Sequence, residues 1–355
     1  MRHPSSVDSR GEREPQVVGA VAIGERPPLV SVLLPYRDAA ATLLPALESA
    51  LLDGLRELEV LAIDDGSTDE GPRIVAELGD PRVRALSSAG VGLPRALEVG
   101  RAAARGALLA RMDADDVTLP GRFDAQRAYL LAHPTVGAVG ARVDVIGPRV
   151  GEGMRAYVAW QNSLTTPAEH RRDLFVEAPL CHPSVMLRAS ALDAVGGYRD
   201  VAWAEDYDLW LRLDAAGWGL AKIPHVYLHW YHRPGRATFA SARYTAARFR
   251  EARAAFLAPR LRGARPLAMW GAGATGKRLA AALEAHGIRF ARWIDIDEAK
   301  IGRTRRGAPV VGPNAIAPGE ELIVVAVGAR GARAEVRAHL AARGFTEGVD
   351  FVCAA

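Results

Sequence analysis

One pattern constrains this sequence more than any other: short apolar runs that end abruptly in acids. Leu58-Glu59-Val60-Leu61-Ala62-Ile63 runs into Asp64-Asp65-Gly66-Ser67, and residues 107–112 run into Asp113-Ala114-Asp115-Asp116. A further run over residues 29–34 stops at Pro35, just before Arg37 and Asp38. Such runs, bounded by turn residues, read as buried strands. Helical spacing fills the intervals. Leu43, Leu44, Leu47 and Leu51 mark a helix over 40–52, and further helices fall near 69–78 and 92–105, with a short strand near 82–86 between them. Strand and helix in alternation predict an α/β fold with a mostly parallel sheet covered on both faces. Ligands bind such sheets beyond the carboxyl ends of the strands, which is where the acidic loops fall.

At 355 residues, 49% hydrophobic and 24% charged, the chain is long enough for two domains and too apolar for wholesale disorder. Two cysteines, Cys181 and Cys353, supply neither a disulfide framework nor a four-cysteine zinc site, as expected in a reducing compartment. No apolar run approaches the roughly 18–20 residues needed to cross a bilayer. The first residues, MRHPSSVDSRGEREP, lack the apolar centre of a signal peptide. The expectation is a cytoplasmic protein that meets a membrane, if at all, peripherally at its inner face.

Four segments follow. Residues 1–28, polar and proline-bearing, read as a disordered tail; 29–235 form the first α/β domain; 236–265 form an Arg-rich helical linker; and 266–355 form a smaller α/β domain. The linker holds eight arginines against one glutamate, a net +7, so the remainder carries −3 of the whole-chain +4. A basic body seeking nucleic acid is thereby excluded. Two readings of the linker stay open: an interdomain helix with a solvated face, or a contact with anionic lipid headgroups.

Carboxylates at strand ends can simply cap the next helix. Asp113, Asp115 and Asp116 together would repel one another unless a cation or ordered donors compensated. Hard divalent cations bind through one or two carboxylates plus substrate phosphates. An Asp-x-Asp after an apolar strand, in a chain without a P-loop, therefore suggests a metal–diphosphate site. Further on, Glu205 and Asp206 open an amphipathic helix marked by Leu209, Trp210 and Leu213. They are either favourable charge at a helix N-terminus or a general base beside the metal site.

The order of these elements resembles glycosyltransferase family 2, which has the GT-A fold. The matching residues are Ser31-Val-Leu-Leu-Pro35, Ile63-Asp-Asp65-Gly-Ser-Thr-Asp69, Ala110-Arg-Met-Asp113-Ala-Asp115-Asp116, Pro120-Gly-Arg122-Phe, Cys181-His182-Pro183-Ser184 and Glu205-Asp206. The resemblance implies that Asp65 contacts the base of a nucleotide-sugar donor, with Pro35, Arg37 and Asp38 around it. It places Asp113 at the ribose and Asp115 on a Mg²⁺ or Mn²⁺ bridging the diphosphate. His232 matches a histidine that some members add as a metal ligand. Asp206 would deprotonate the acceptor hydroxyl, with Glu205 touching acceptor or base. Many members carry tyrosine and asparagine where this chain has Arg37 and Asp38.

In the last segment, Gly271-Ala-Gly273-Ala-Thr-Gly276 follows a strand and opens a helix, with Asp295 about twenty residues further on, as in a dinucleotide fingerprint. The block resembles the Rossmann-like domains found near sugar-processing enzymes. Binding of NAD(P) or another nucleotide and a retained scaffold are both open. The expected function is an inverting, metal-dependent glycosyltransferase moving a sugar from a nucleotide-diphosphate donor to a hydroxyl of a glycan or lipid-linked acceptor in surface polysaccharide synthesis. The alternatives are a non-catalytic nucleotide-sugar sensor and an NAD(P)-dependent oxidoreductase led by residues 267–355.

Overall fold

A computed structural model of the chain describes residues 30–148, 150–233, 241–263 and 265–355. The tail at 1–28 lies outside the described residues, as do the first residues of the linker. Two sheets carry the fold. The first has eight strands: β1 (Val30–Tyr36), β2 (Leu58–Asp64), β3 (Val83–Ser87), β4 (Leu108–Arg111), β5 (Val117–Thr118), β6 (Val136–Ile146), β7 (Met186–Arg188) and β8 (Gly219–Tyr231), in the order β3-β2-β1-β4-β7-β6-β8-β5. β1 pairs in parallel with both β2 and β4, and β2 with β3. Beyond β4 the sheet turns mixed, because β7 lies antiparallel to both β4 and β6.

Both faces of the parallel half are buried, as its unbroken apolar strands require. Leu33, Leu61, Ile63 and Leu109 enter one core, while Val32, Leu34, Val60 and Ala62 enter the other. Alternation along the strand thus feeds two cores rather than one core and solvent. The helix Ala40–Leu51 buries Leu43, Ala46, Leu47 and Ala50 against the second core. Its start is fixed from outside, since the Ala40 amide donates to Asp69 Oδ2 at 2.7 Å.

The second sheet has six strands: β9 (Leu267–Trp270), β10 (Arg292–Ile294), β11 (Thr304–Arg305), β12 (Ala308–Val311), β13 (Leu322–Val325) and β14 (Phe351–Cys353). Their order is β11-β12-β10-β9-β13-β14, with every pairing parallel except the β11–β12 hairpin. The helix Ala246–Leu261 joins the sheets. Its Ala254, Leu257, Ala258 and Leu261 share one core with Leu209, Leu213, Met269 and Leu283. Arg253 ties the same junction, donating to Val176 O at 2.7 Å and to Ala354 O at 2.8 Å.

Four of the described linker arginines form ion pairs within the protein. Arg243 pairs with Asp200, Arg248 with Glu251, Arg260 with Asp214 and Arg265 with Asp350. Among the described residues, no helix is long and apolar enough to cross a membrane.

Candidate active site

The parallel half of the first sheet sets three acidic loops side by side. Tyr36 on β1 stands in register with Asp64 on β2, and Leu33 with Arg111 on β4. Asp65, Pro35 and Asp113 therefore leave neighbouring strands, about 5 Å apart, at one edge. The Asp65 amide donates to Tyr36 O at 2.9 Å, and the Met112 amide to Leu33 O at 3.1 Å.

The two loops on the β1–β2 side are tied together by their own side chains. Asp38 sits at φ +47, and its Oδ1 accepts from the Thr68 amide at 2.7 Å. Those Thr68 bonds and the Arg37 guanidinium hold the Asp38 carboxyl below its usual range, against a slight desolvation. Arg37 itself is exposed. Asp65 is buried; its carboxylate accepts from Ser88 Oγ at 2.8 Å and from the Gly92 amide at 3.1 Å. Pro35 is buried within β1.

On the β4 side, one oxygen each from Asp113, Asp115 and Asp116 lies within 4.8 Å of the others. Two kinds of partner hold this cluster. Arg111, 2% exposed, ion-pairs with Asp113, and the Tyr231 amide donates to Asp116 Oδ1 at 2.8 Å. Burial of Arg111 disfavours its charge, but Asp113 and Glu205 outweigh that and leave its affinity for the proton raised. His232 follows Tyr231 directly, and its amide donates to Ile146 O at 2.6 Å. A Cβ on Gly147 would sit 2.4 Å from the His232 carbonyl, so glycine lets the backbones meet there. The three-carboxylate cluster does not include a His232 nitrogen.

A cleft of about 190 Å³ lies beyond the cluster, lined by Asp113, Asp115, Glu205, Asp206, His182 and Tyr244 among others. Glu205 and Asp206 begin the helix Glu205–Ala215, whose first turn also holds Asp208. Glu205 is 2% exposed; its Oε2 accepts from Tyr244 OH at 2.8 Å, and its Oε1 faces His182 Nδ1 at 3.5 Å. Burial raises the Glu205 pKa, but His182, its own backbone amide and Tyr244 together bring it below its ordinary value. Asp206 goes the other way. Burial, and then the neighbouring Glu205 charge, push it up to about 8. Arg111 Nε and His182 Nε2 are buried and find no hydrogen-bond partner among the described residues.

Of the residues singled out from sequence, Asp113, Asp115, Glu205 and Asp206 share the cleft, while Pro35, Arg37, Asp38 and Asp65 stand at the adjoining strand ends. Sequence reasoning gave no role to Arg111, His182 or Tyr244. For Arg111 and His182 the only signal was membership of matched motifs. Tyr244 sat in a segment read as a joint.

In the second unit, the strand–loop–helix context of the glycine motif is present: β9, then Gly271, then the helix Ala274–Glu284. Two of the glycines answer the chain's own packing. A Cβ at Gly271 would meet Ala326 O at 2.4 Å, and one at Gly276 would meet Gly271 O at 1.9 Å, whereas Gly273 faces open space. Asp295 Oδ2 accepts from the Ala272 amide at 2.8 Å, Oδ1 accepts from the Asp297 amide at 3.0 Å, and Lys300 lies at 3.2 Å.

The amylovoran biosynthesis glycosyltransferase AmsE of Erwinia amylovora is 29% identical over 200 residues, 56% of this chain and 73% of its own. The putative glycosyltransferase EpsE of Bacillus subtilis is 30% identical over 197 residues, 54% of this chain and 68% of its own. The sequence profile of glycosyl transferase family 2 matches residues 31–196. The chain belongs to glycosyl transferase family 2. Its fold is that of S. aureus TarS residues 1–349, solved with UDP-GlcNAc, at a TM-score of 0.53 with 18% identity over 73% of this chain and 72% of that one. This is a GT-A glycosyltransferase. The family profile spans the β1, β2 and β4 loops and His182 but ends before Glu205 and Asp206, so the chemistry of that pair rests on geometry.

Proposed function

We propose that this glycosyltransferase is inverting and divalent-cation-dependent, transferring a sugar from a nucleotide-diphosphate donor to a hydroxyl of a glycan or lipid-linked acceptor in surface polysaccharide synthesis. The observation that carries the reading is that Asp206 shares one cleft with Asp113 and Asp115, its carboxyl made more basic by burial and by the neighbouring Glu205 charge. A carboxylate so placed suits proton removal from an acceptor hydroxyl.

The residues divide by position. Asp65, Pro35, Arg37 and Asp38 would receive the nucleoside, and Asp113 the ribose. The all-oxygen donor set of Asp113, Asp115 and Asp116 fits a hard cation such as Mg²⁺ or Mn²⁺. Asp115 would be its principal ligand, with His232 a further candidate ligand. Such an ion supplies charge neutralisation on the departing diphosphate. The unpartnered Arg111 Nε supplies a donor for phosphate or sugar oxygens, and His182 Nε2, on a neutral ring whose Nδ1–H faces Glu205, an acceptor for a sugar hydroxyl, since buried polar atoms seek partners. The acceptor hydroxyl oxygen bonds to the anomeric carbon as the bond to the diphosphate breaks, and its proton passes to Asp206. A single displacement inverts the anomeric centre. The name of the Erwinia relative, an amylovoran biosynthesis enzyme, supports a polysaccharide acceptor.

The test is a transfer screen across UDP-, GDP- and dTDP-sugars with Mn²⁺ or Mg²⁺, reading the product anomer by NMR. Inverted product that disappears with EDTA supports the reading. Retention of configuration, or full activity in EDTA, contradicts it.

A further inference from the structure

Tyr244 lies in the Arg-rich segment between the two sheets, yet its side chain lines the acidic cleft. Its hydroxyl donates to Glu205 Oε2 at 2.8 Å, while His182 faces the other oxygen at 3.5 Å. A terminal carboxylate torsion is soft unless its oxygens are bonded. Glu205 is thus gripped from two elements, and its backbone neighbour is Asp206.

The delivery of Tyr244 is itself built. The turn Ala242–Tyr244 starts at Ser241, whose Oγ accepts from the Arg243 amide at 3.3 Å, and Arg243 donates to Asp200 at 2.8 Å. Thr245 then caps the helix Ala246–Leu261 by accepting from the Arg248 amide. Phe249 of that helix packs its ring 5.5 Å from Tyr207, and Arg253 bonds carbonyls of both units. The position of the Tyr244 hydroxyl is therefore set by a helix seated on both sheets.

We propose that Tyr244 is a positioning residue of the transfer reaction: its hydroxyl fixes the Glu205 carboxylate beside Asp206, so the linker completes a cleft that the family-matched region leaves open. The inference rests on the transferase reading above. It makes the junction with the second unit part of the site, since whatever moves the helix moves Tyr244.

The test compares full-length wild type, Tyr244→Phe and Phe249→Leu with the donor chosen by the transfer screen. Binding of the matching nucleoside diphosphate with Mn²⁺ is followed by calorimetry. Phe249→Leu trims one ring contact of the same helix at similar apolar volume and leaves the Thr245 cap and the Tyr244 hydroxyl in place. Losing a hydrogen bond to a charged group predicts a kcat roughly 10–100-fold lower in Tyr244→Phe. Donor KM and nucleotide affinity should stay within about twofold of wild type, and Phe249→Leu should keep most of its kcat. Wild-type kcat in Tyr244→Phe overturns the proposal. So does an equal loss in both variants, or a loss confined to donor KM. A wild type inactive with every donor removes the transferase reading itself, whereas an active wild type matched by Tyr244→Phe removes only the role of Tyr244.

Discussion

Glu205 and Asp206 are consecutive carboxylates on the first turn of one helix, and they hold their protons in opposite ways. Burial opposes ionisation of both. Glu205 is compensated by His182, by its own backbone amide and by the Tyr244 hydroxyl, and falls below its usual value. Asp206 has the amide of Tyr207 at 2.7 Å but also the charge of Glu205 beside it, and rises to about 8. One anion made secure next to one carboxyl made basic fits the proton transfer proposed for Asp206.

That arrangement carries a cost that depends on pH. An unfolded Asp206 loses its proton near pH 4, while the folded one keeps it to about 8. Between those values the unfolded chain binds fewer protons, so this residue's contribution to stability falls as pH rises. Asp206→Asn removes the effect. Its melting temperature should exceed that of wild type by a margin that widens from pH 5 to pH 8 and is flat above pH 9. A margin independent of pH, measured by calorimetric melts in EDTA, would contradict the assignment.

Arg111 is the fixed cation of the site, buried between Asp113 and the Glu205 charge. Arg111→Met removes the cationic partner of Asp113, and removing one partner of a buried pair typically costs about 3–5 kcal/mol. The expected loss in urea denaturation should be smaller with millimolar Mn²⁺ than with EDTA, because a bound cation restores part of the missing charge. An identical loss under both conditions would argue that no cation reaches the cluster.

Asp115→Ala should weaken Mn²⁺-dependent binding of a nucleoside diphosphate by at least about tenfold, while leaving the melting temperature in EDTA near that of wild type. Isothermal calorimetry with UDP, GDP and dTDP, with and without Mn²⁺, reads this directly. Binding that ignores both the substitution and the ion would remove Asp115 from the site.

The glycine motif of the second unit makes a paired prediction. Gly276→Ala forces a Cβ to within 1.9 Å of a backbone carbonyl oxygen, and should cost about 1–3 kcal/mol or more. Gly273→Ala meets nothing within 4 Å, and as a helix-cap change should cost about 1 kcal/mol or less. Thermal melts of the two variants separate packing need from loop freedom.

Much of the parallel half was legible because its strands are continuous apolar runs with acids at one end. The acids fall at one edge because parallel strands share a direction. The mixed half was harder to read: β6 and β8 run 11 and 13 residues with polar interruptions such as Arg142 and His225, and their pairing shifts register. The residues that share the cleft were legible where a motif announced them, at Asp113, Asp115, Glu205 and Asp206. Arg111 looked like one arginine among many, and only the fold shows it buried against Asp113. Tyr244 belongs to a stretch whose charge suggested a solvated helix. Its contact with Glu205 spans 39 residues of sequence, and no local pattern encodes it.

The proposed transfer turns on Asp206 taking the acceptor proton. The most direct measurement sets transfer against donor binding in Asp206→Asn, using the donor from the screen with saturating Mn²⁺. Loss of a general base predicts a kcat lower by about 10²–10⁴-fold, with the affinity for the donor nucleotide within about twofold of wild type. A kcat near that of wild type, with binding intact, would contradict the account.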